Sequence, residues 1–436
     1  MTAHAPSDAP SSSGCTLPRE KVFSIQIGTE LFRLSGASIA SDAPSYFSRF
    51  FEEQLSQNGD GANVRTLYID RDPITFREIS RHLQGYHCQP NDGAEFVKLF
   101  ADAQFYSLPR LMSQLFESQI FIQIGDRHFQ LSRDIFSGPG DSPNFFTLGF
   151  GAFFASPAEV FPGLDRRGLL RPPAIVPPSV PNRSGEVFGQ LVHLLCGYPL
   201  HIKSEAQRAE LLRDCRYFHL RGQEQKLIPH HISFNPTRGR SEIILRLEDV
   251  RRSGIHLDTP KDSSSESIVK YARPFADESP HDLVLEIGEE STIIDLYTMR
   301  PRFLNLANAR VDSLLQIILD RKNSHSQQPA KPTGHAIRVE IDEETDLTID
   351  GEERVNYTIP EPASSEPQAK RRRVEGSESG AQDSNNSWIV RTGQWRISLQ
   401  SGSGADDSLQ FIMAAVKLDV YTSQKMRNKR QSFLGS

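Results

Sequence analysis

Two stretches of the chain are near-copies: SIQIGTELFRLS at 24–35 and FIQIGDRHFQLS at 121–132. A chain that repeats itself in this way must build one small unit twice, and that limits its folds more than any composition does. Ile25, Ile27, Phe32 and Leu34 correspond to Ile122, Ile124, Phe129 and Leu131. The alternation of apolar residues predicts a half-buried hairpin in each copy. Gly28 and Gly125 fall at the turns, where glycine adopts positive φ at little cost. Further blocks match in the same order: SDAPSYFSRFF (41–51) with GDSPNFFTLGF (140–150), FREISRHLQGY (76–86) with FGQLVHLLCGY (188–198), and ADAQFYSLPRLMSQL (101–115) with RDCRYFHLRGQEQKL (213–227). Generic strand and helix chemistry explains one hairpin but not an ordered set.

The second copy is longer, with a Pro- and Gly-rich insertion at 151–185 that argues against a regular helix there. Nothing Pro- or Ser-rich separates Leu115 from Ile120, so the two copies are expected to pack directly on one another. The full length of 436 residues leaves room for two to four domains.

The segment YIDRDPITFREISRHLQGY (68–86) places three charges where a strand meets a helix. Leu67 and Ile69 alternate as in a strand. Asp72 suits the N-cap and Pro73 the first helical position, where its missing N–H costs nothing. Phe76, Ile79 and Leu83 give one buried face, and Gly85 is a natural stop. Capping accounts for Asp72 but not for Asp70 and Arg71. These two are either solvated turn charges or part of an interface, within the chain or between chains, and Asp70, Arg71 and Asp72 are the candidate interface residues.

These residues carry a resemblance. IDRDPITFREISRHLQGY resembles the hallmark of the BTB/POZ fold in its potassium-channel tetramerisation form, the class shared with KCTD proteins. Tyr68 stands where that pattern commonly has Phe. IQIGTELFRLS resembles the family's first hairpin, and DAQFYSLPRL resembles its later helices. The resemblance covers residues 21–118. The second copy, 119–230, keeps the apolar positions but has VPNRSGEVF in place of the acidic motif. The resemblance implies an α+β fold with two tandem BTB/POZ, KCTD-like domains that mediate association with the same chain or with other BTB-domain proteins. Some relatives recruit a cullin ubiquitin ligase, and fungal tandem-repeat relatives are implied to be regulatory proteins in stress or growth signalling.

From about residue 231 the texture changes to a β-rich C-terminal domain, 231–359 and 387–424. SEIILRLEDV (241–250) reads as a strand, and HDLVLEIGEESTIIDLY (281–297) as a strand pair joined across Gly288. VDSLLQIILDRK (311–322) has helical spacing. HAIRVEIDEETDLTI (335–349) reads as a hairpin, and SWIVRTGQWRISL (387–399) as another, turning at Thr392 and Gly393. LQFIMAAVKLDVYT (409–422) suits either a strand or a buried helix. The N-terminus, 1–20, and the segment 360–386 are expected to be disordered, and TPKDSSSESIVK (259–270) to be a mobile loop. Within 360–386, Lys370, Arg371, Arg372, Arg373 and Val374 resemble a monopartite nuclear-import signal, which implies an importin partner and a nuclear protein with a cytoplasmic pool. The basic run KMRNKRQ lies in a tail at 425–436 and could assist import or bind anions.

The formal net charge of −6 gives no reason to expect the chain to coat nucleic acid or anionic membrane. No apolar run approaches the length of a membrane helix, and the N-terminus has no secretory h-region, so a soluble intracellular protein is expected. Cys15, Cys88, Cys196 and Cys215 form no C-x-x-C pair, which argues against a structural zinc site and fits a reducing compartment. The chain has no phosphate loop, nucleophile elbow or zinc helix. The expectation is therefore a non-enzymatic adaptor without catalytic residues, metal or cofactor. The alternatives are a transcription-associated factor, acting on DNA directly or through partners, and a substrate adaptor of a cullin ligase. A phosphatase or a corepressor is a further candidate partner.

Overall fold

The computed structural model describes residues 15–58, 64–149, 178–258, 266–323, 336–354, 386–401 and 409–432. Its contacts divide the chain into two units, Met1–Glu224 and Gln225–Ser436. The protein is mixed α/β, as an α+β chain should be.

The first unit holds the repeat. β1 (Val22–Ile27) and β2 (Glu30–Ser35) form the first hairpin, followed by α1 (Gly36–Ala40), α2 (Tyr46–Asn58), β3 (Leu67–Ile69), α3 (Pro73–Leu83), α4 (Gly93–Phe105) and α5 (Pro109–Ser118). The second copy runs β4 (Gln119–Ile124), β5 (Arg127–Ser132), a 3-10 turn at Arg133–Phe136, β6 (Ser179–Val180), α6 (Gly185–Leu195), α7 (Glu205–Phe218) and α8 (Arg221–Leu227). The two sheets have the same order, β2-β1-β3 and β5-β4-β6. Each hairpin is antiparallel with a two-residue turn, closing at Ile27↔Glu30 and Ile124↔Arg127. Each first strand then takes a parallel partner, through Ile27↔Ile69 and Ile124↔Val180. Gly28 and Gly125 have φ of 52° and 57°, as the turns require.

The cores repeat ring for ring. In the first copy Phe76 lies 4.8 Å from Phe32, 5.7 Å from Phe47 and 5.6 Å from Tyr106 between ring centroids. In the second, Phe188 lies 4.8 Å from Phe129, 5.2 Å from Phe146 and 5.0 Å from Phe218. These are the matched positions of the two sequence copies, so one packing solution has been used twice. The copies also touch directly: Phe96 of α4 meets Phe121 of β4 at 5.2 Å, and Arg133 Nη2 donates to the Phe116 carbonyl at 2.7 Å.

Some expected boundaries shift. Part of the N-terminal segment read as disordered is ordered: Leu17 is buried, and the Thr16 amide donates to Glu52, while 1–14 lie outside the described residues. The far end of the 151–185 insertion is structural, since Ser179–Val180 pairs with β4 and Ser184 caps α6. The rest of that insertion lies outside the described residues, as does 360–385.

The second unit is built on one twelve-stranded sheet. It contains β7 (His230–Asn235), β8 (Arg240–Arg246), β9 (Ile255–Asp258), β10 (Ser267–Tyr271), β11 (His281–Ile287), β12 (Thr292–Asp295), β13 (Arg300–Phe303), helix α9 (Asn305–Asn323), β14 (Ala336–Glu340), β15 (Asp346–Ile349), β16 (Glu352–Arg354), β17 (Ser387–Ser401), β18 (Leu409–Tyr421) and helix α10 (Gln424–Arg430). Three expected hairpins are not hairpins. β11 and β12 each pair with β17 and not with one another. β14 and β15 both run parallel to β18. The 387–399 segment is one long strand, with register shifts at Val390/Thr392 and Gln394/Trp395 where a turn was expected.

The reason at Gly393 is steric. A Cβ there would stand 2.6 Å from the Trp395 indole nitrogen, so glycine makes room for a ring and does not reverse the chain. The 409–422 segment is a strand, paired along its length with β17. Residues 267–270, expected in a mobile loop, belong to β10, held between neighbours on both sides, and 259–265 lie outside the described residues. The expected basic tail begins as α10, with Ser423 accepting from the Met426 amide as its cap.

Candidate interaction surface

At the charged junction, Arg71 and Asp72 have different roles. Asp72 caps α3: its carboxylate accepts from the amides of Ile74 at 3.1 Å and Thr75 at 3.4 Å, and from the Thr75 hydroxyl at 2.8 Å. Partial burial works to raise the Asp72 pKa. The bonds from Thr75 and Ile74 outweigh it and hold the carboxyl below its usual range. Such a cap contributes about 1 kcal/mol.

Arg71 turns inward. Its guanidinium pairs with Asp102 of α4 at 2.7 Å and lies over the Phe105 ring, 4.4 Å from the centroid. Both charged partners are largely buried. Burial is the largest influence on Asp102 and pushes its pKa up to about 6. The Arg71 charge pulls it down, and Asp72 adds to the rise. A loop charge and a helix charge are thus clamped beneath an aromatic face. The Asp70 side chain is exposed, as are Tyr68 at 59% and Ile74 at 68%.

The second copy keeps a looser counterpart of this clamp despite its altered motif, an ion pair without a hydrogen bond to either Asp214 oxygen among the described residues. Arg183, the residue before the α6 cap, sits 3.7 Å from Asp214 of α7 and 4.1 Å from the Tyr217 ring centroid. Asp214 is buried, and burial pushes its pKa up against the lowering charges of Arg183 and Arg213. The clamp residues Asp102 and Asp214, with Phe105 and Tyr217, escaped the sequence reading. They stand at matched positions of ADAQFYSL and RDCRYFHL, so comparing the two copies residue by residue would have marked them.

A second buried acid is also duplicated. Asp42 accepts from the amides of Arg110 at 2.7 Å and Leu111 at 3.0 Å in the first turn of α5, and contacts His82 Nε2 at 2.9 Å. Its counterpart Asp141 accepts from the Gln223 amide at 3.0 Å in α8. Buried carboxylates bonded in this way fix helix ends and organise the fold. Among the described residues, no group of three or more His, Cys, Asp or Glu side chains could hold a metal, and no helix is long and apolar enough to cross a membrane. Lys370 to Val374 lie outside the described residues.

No family model matches the chain. It is 34% identical over 243 residues to the BTB/POZ domain-containing protein YLR108C of Saccharomyces cerevisiae, a match covering 56% of this chain and 48% of that one. The likeness supports a BTB/POZ relationship. A second S. cerevisiae relative, the uncharacterized protein YDR132C, is 35% identical over 329 residues, covering 64% of this chain and 66% of its own. The match therefore spans between about half and just under two thirds of the length of these curated relatives.

Proposed function

We propose that residues 21–118 form a BTB/POZ domain of the potassium-channel tetramerisation, KCTD-like type, that 119–230 form a divergent second copy, and that the chain is a non-enzymatic adaptor. In this reading it associates with itself or with other BTB-domain proteins and serves nuclear regulation or stress and growth signalling. The observation that carries the reading is the division of labour at the junction. Arg71 is spent on an internal clamp, while Tyr68 and Ile74, which flank the junction in sequence, expose apolar surface, and Asp70 between them is exposed. Exposed apolar residues beside a charge suit a docking surface whose register is set by the polar group. The yeast relative named for a BTB/POZ domain points the same way.

The internal role of Arg71 decides how to test this. Reversing Asp70 and Arg71 together would also break the clamp. Asp70→Arg and Tyr68→Ala leave Arg71 and Asp102 in place. Both variants are expected to keep the fold by circular dichroism and to lower the oligomer mass, or partner recovery, measured by light scattering and affinity purification. Unchanged mass and partners would remove this surface from the reading. Mass spectrometry of the purified partners distinguishes a cullin, a phosphatase, a corepressor or BTB-domain proteins. Nuclear import through Lys370–Arg373 belongs to the same proposal. Alanine at those four positions is expected to abolish nuclear accumulation of a tagged chain in fluorescence images.

A further inference from the structure

The basic run KMRNKR has no part in the adaptor reading. It folds as α10 beside the turn between β15 and β16, within the second unit. Asp350 and Gly351 make that turn with φ of 53° and 80°. The Arg430 guanidinium rests on the bare face of Gly351, where a Cβ would stand 2.2 Å from Nη2. The same Nη2 donates to the Asp350 carbonyl at 2.6 Å. The guanidinium is thus anchored by a backbone carbonyl and makes no ion pair with a carboxylate among the described residues.

Turn and helix enclose a cavity of about 400 Å³, whose lining includes Arg354, Lys429 and Arg430, with Asp350 and Glu352 as its acids. Both acids are engaged. Asp350 accepts from the Thr422 amide at 3.1 Å and its hydroxyl at 2.7 Å, and Glu352 pairs with Arg354 at 2.9 Å. Among the described residues, neither Lys429 nor Arg430 pairs with a carboxylate.

We propose that α10 and the β15–β16 turn bind a phosphomonoester anion in this cavity, with Lys429 and Arg430 as its principal ligands. A phosphomonoester carries a charge of roughly −1.5 to −2 and three strong acceptor oxygens, which suits two cations lacking carboxylate partners. The guanidinium offers a planar fork and the ammonium a compact point charge. A carboxylate, with a single charge, matches this pair less well. Ile349 and Met426 supply an apolar wall for the carbon side of the ester. The site lies wholly in the second unit and does not depend on the adaptor reading.

Isothermal titration calorimetry on the full chain tests it, with inorganic phosphate, a phosphoserine peptide and the same peptide unphosphorylated as probes. Saturable binding of the two phosphate-bearing probes is expected, and none of the unphosphorylated peptide. Lys429→Ala should weaken both about tenfold, and Arg430→Lys should weaken them less. Tighter binding of the phosphopeptide than of inorganic phosphate would assign the anion to a protein partner, and equal affinities to a free small molecule. Absence of saturable binding, or an affinity unchanged by Lys429→Ala, overturns the proposal. Among the described residues the Lys429 side chain has no hydrogen-bond or ion-pair partner to lose, so that variant decides even if Arg430→Lys disturbs the turn.

Discussion

Asp102 and Tyr106 show how single side chains record the history of a duplicated module. The Tyr106 hydroxyl is fully buried without a hydrogen-bond partner among the described residues, and the matched position in the second copy is Phe218. Tyr106→Phe should therefore raise stability by about 1 kcal/mol, read from denaturant midpoints at constant m, because it removes an unsatisfied buried group. Asp102 makes a prediction with a sign. Its folded pKa of about 6 lies above the ordinary carboxyl value, so the native chain binds more protons than the unfolded one between about pH 4 and 6. Stability contributed by that protonation is full below pH 4 and is lost as pH rises through 6. Against Asp102→Asn, which cannot titrate, the wild type should lose on the order of 2–3 kcal/mol between pH 4 and 7. A difference that stays level across this range would mean that Arg71 keeps Asp102 ionised throughout.

At the scale of elements, the hairpin turns allow the two copies to be compared. Alanine at either turn glycine forces a side chain into a left-handed backbone, costing about 1–2 kcal/mol. The surroundings then differ. A Cβ on Gly28 would lie 3.1 Å from the Arg71 carbonyl, whereas on Gly125 it would lie 2.5 Å from the Arg183 carbonyl. Gly125→Ala should accordingly be the more damaging substitution by chemical denaturation, and equal losses would show that the second turn relaxes freely. Elements formed by neighbouring residues were legible beforehand. The hairpins, the Asp72 cap and the buried face of α3 all follow from residues within a few positions of one another. Strand existence was also legible in the second unit, but strand partners were not. Alternation says that a strand has one buried face and does not say which distant strand lies beside it. Gly393 was misleading for a different reason: the ring it accommodates is two positions away, but a glycine is equally compatible with a turn, and only the strand conformation brings the Trp395 ring over it.

For the whole molecule, the two units make separate predictions. If they unfold independently, scanning calorimetry of the full chain should resolve two transitions. Asp102→Asn should shift only the one belonging to the first unit, and Trp395→Ala only the one belonging to the second. A shift of both by either change would show that the chain unfolds as one cooperative body. The self-similar blocks, read from sequence alone, determined that one module is built twice, because identical spacing of apolar residues imposes identical hairpins and helix faces. Tertiary structure alone decided that Arg71 faces Asp102 and Phe105, that β14 and β15 lie parallel to β18, and that α10 closes a cationic cavity. Those contacts join residues tens of positions apart, where periodicity carries no information and packing chooses the partner.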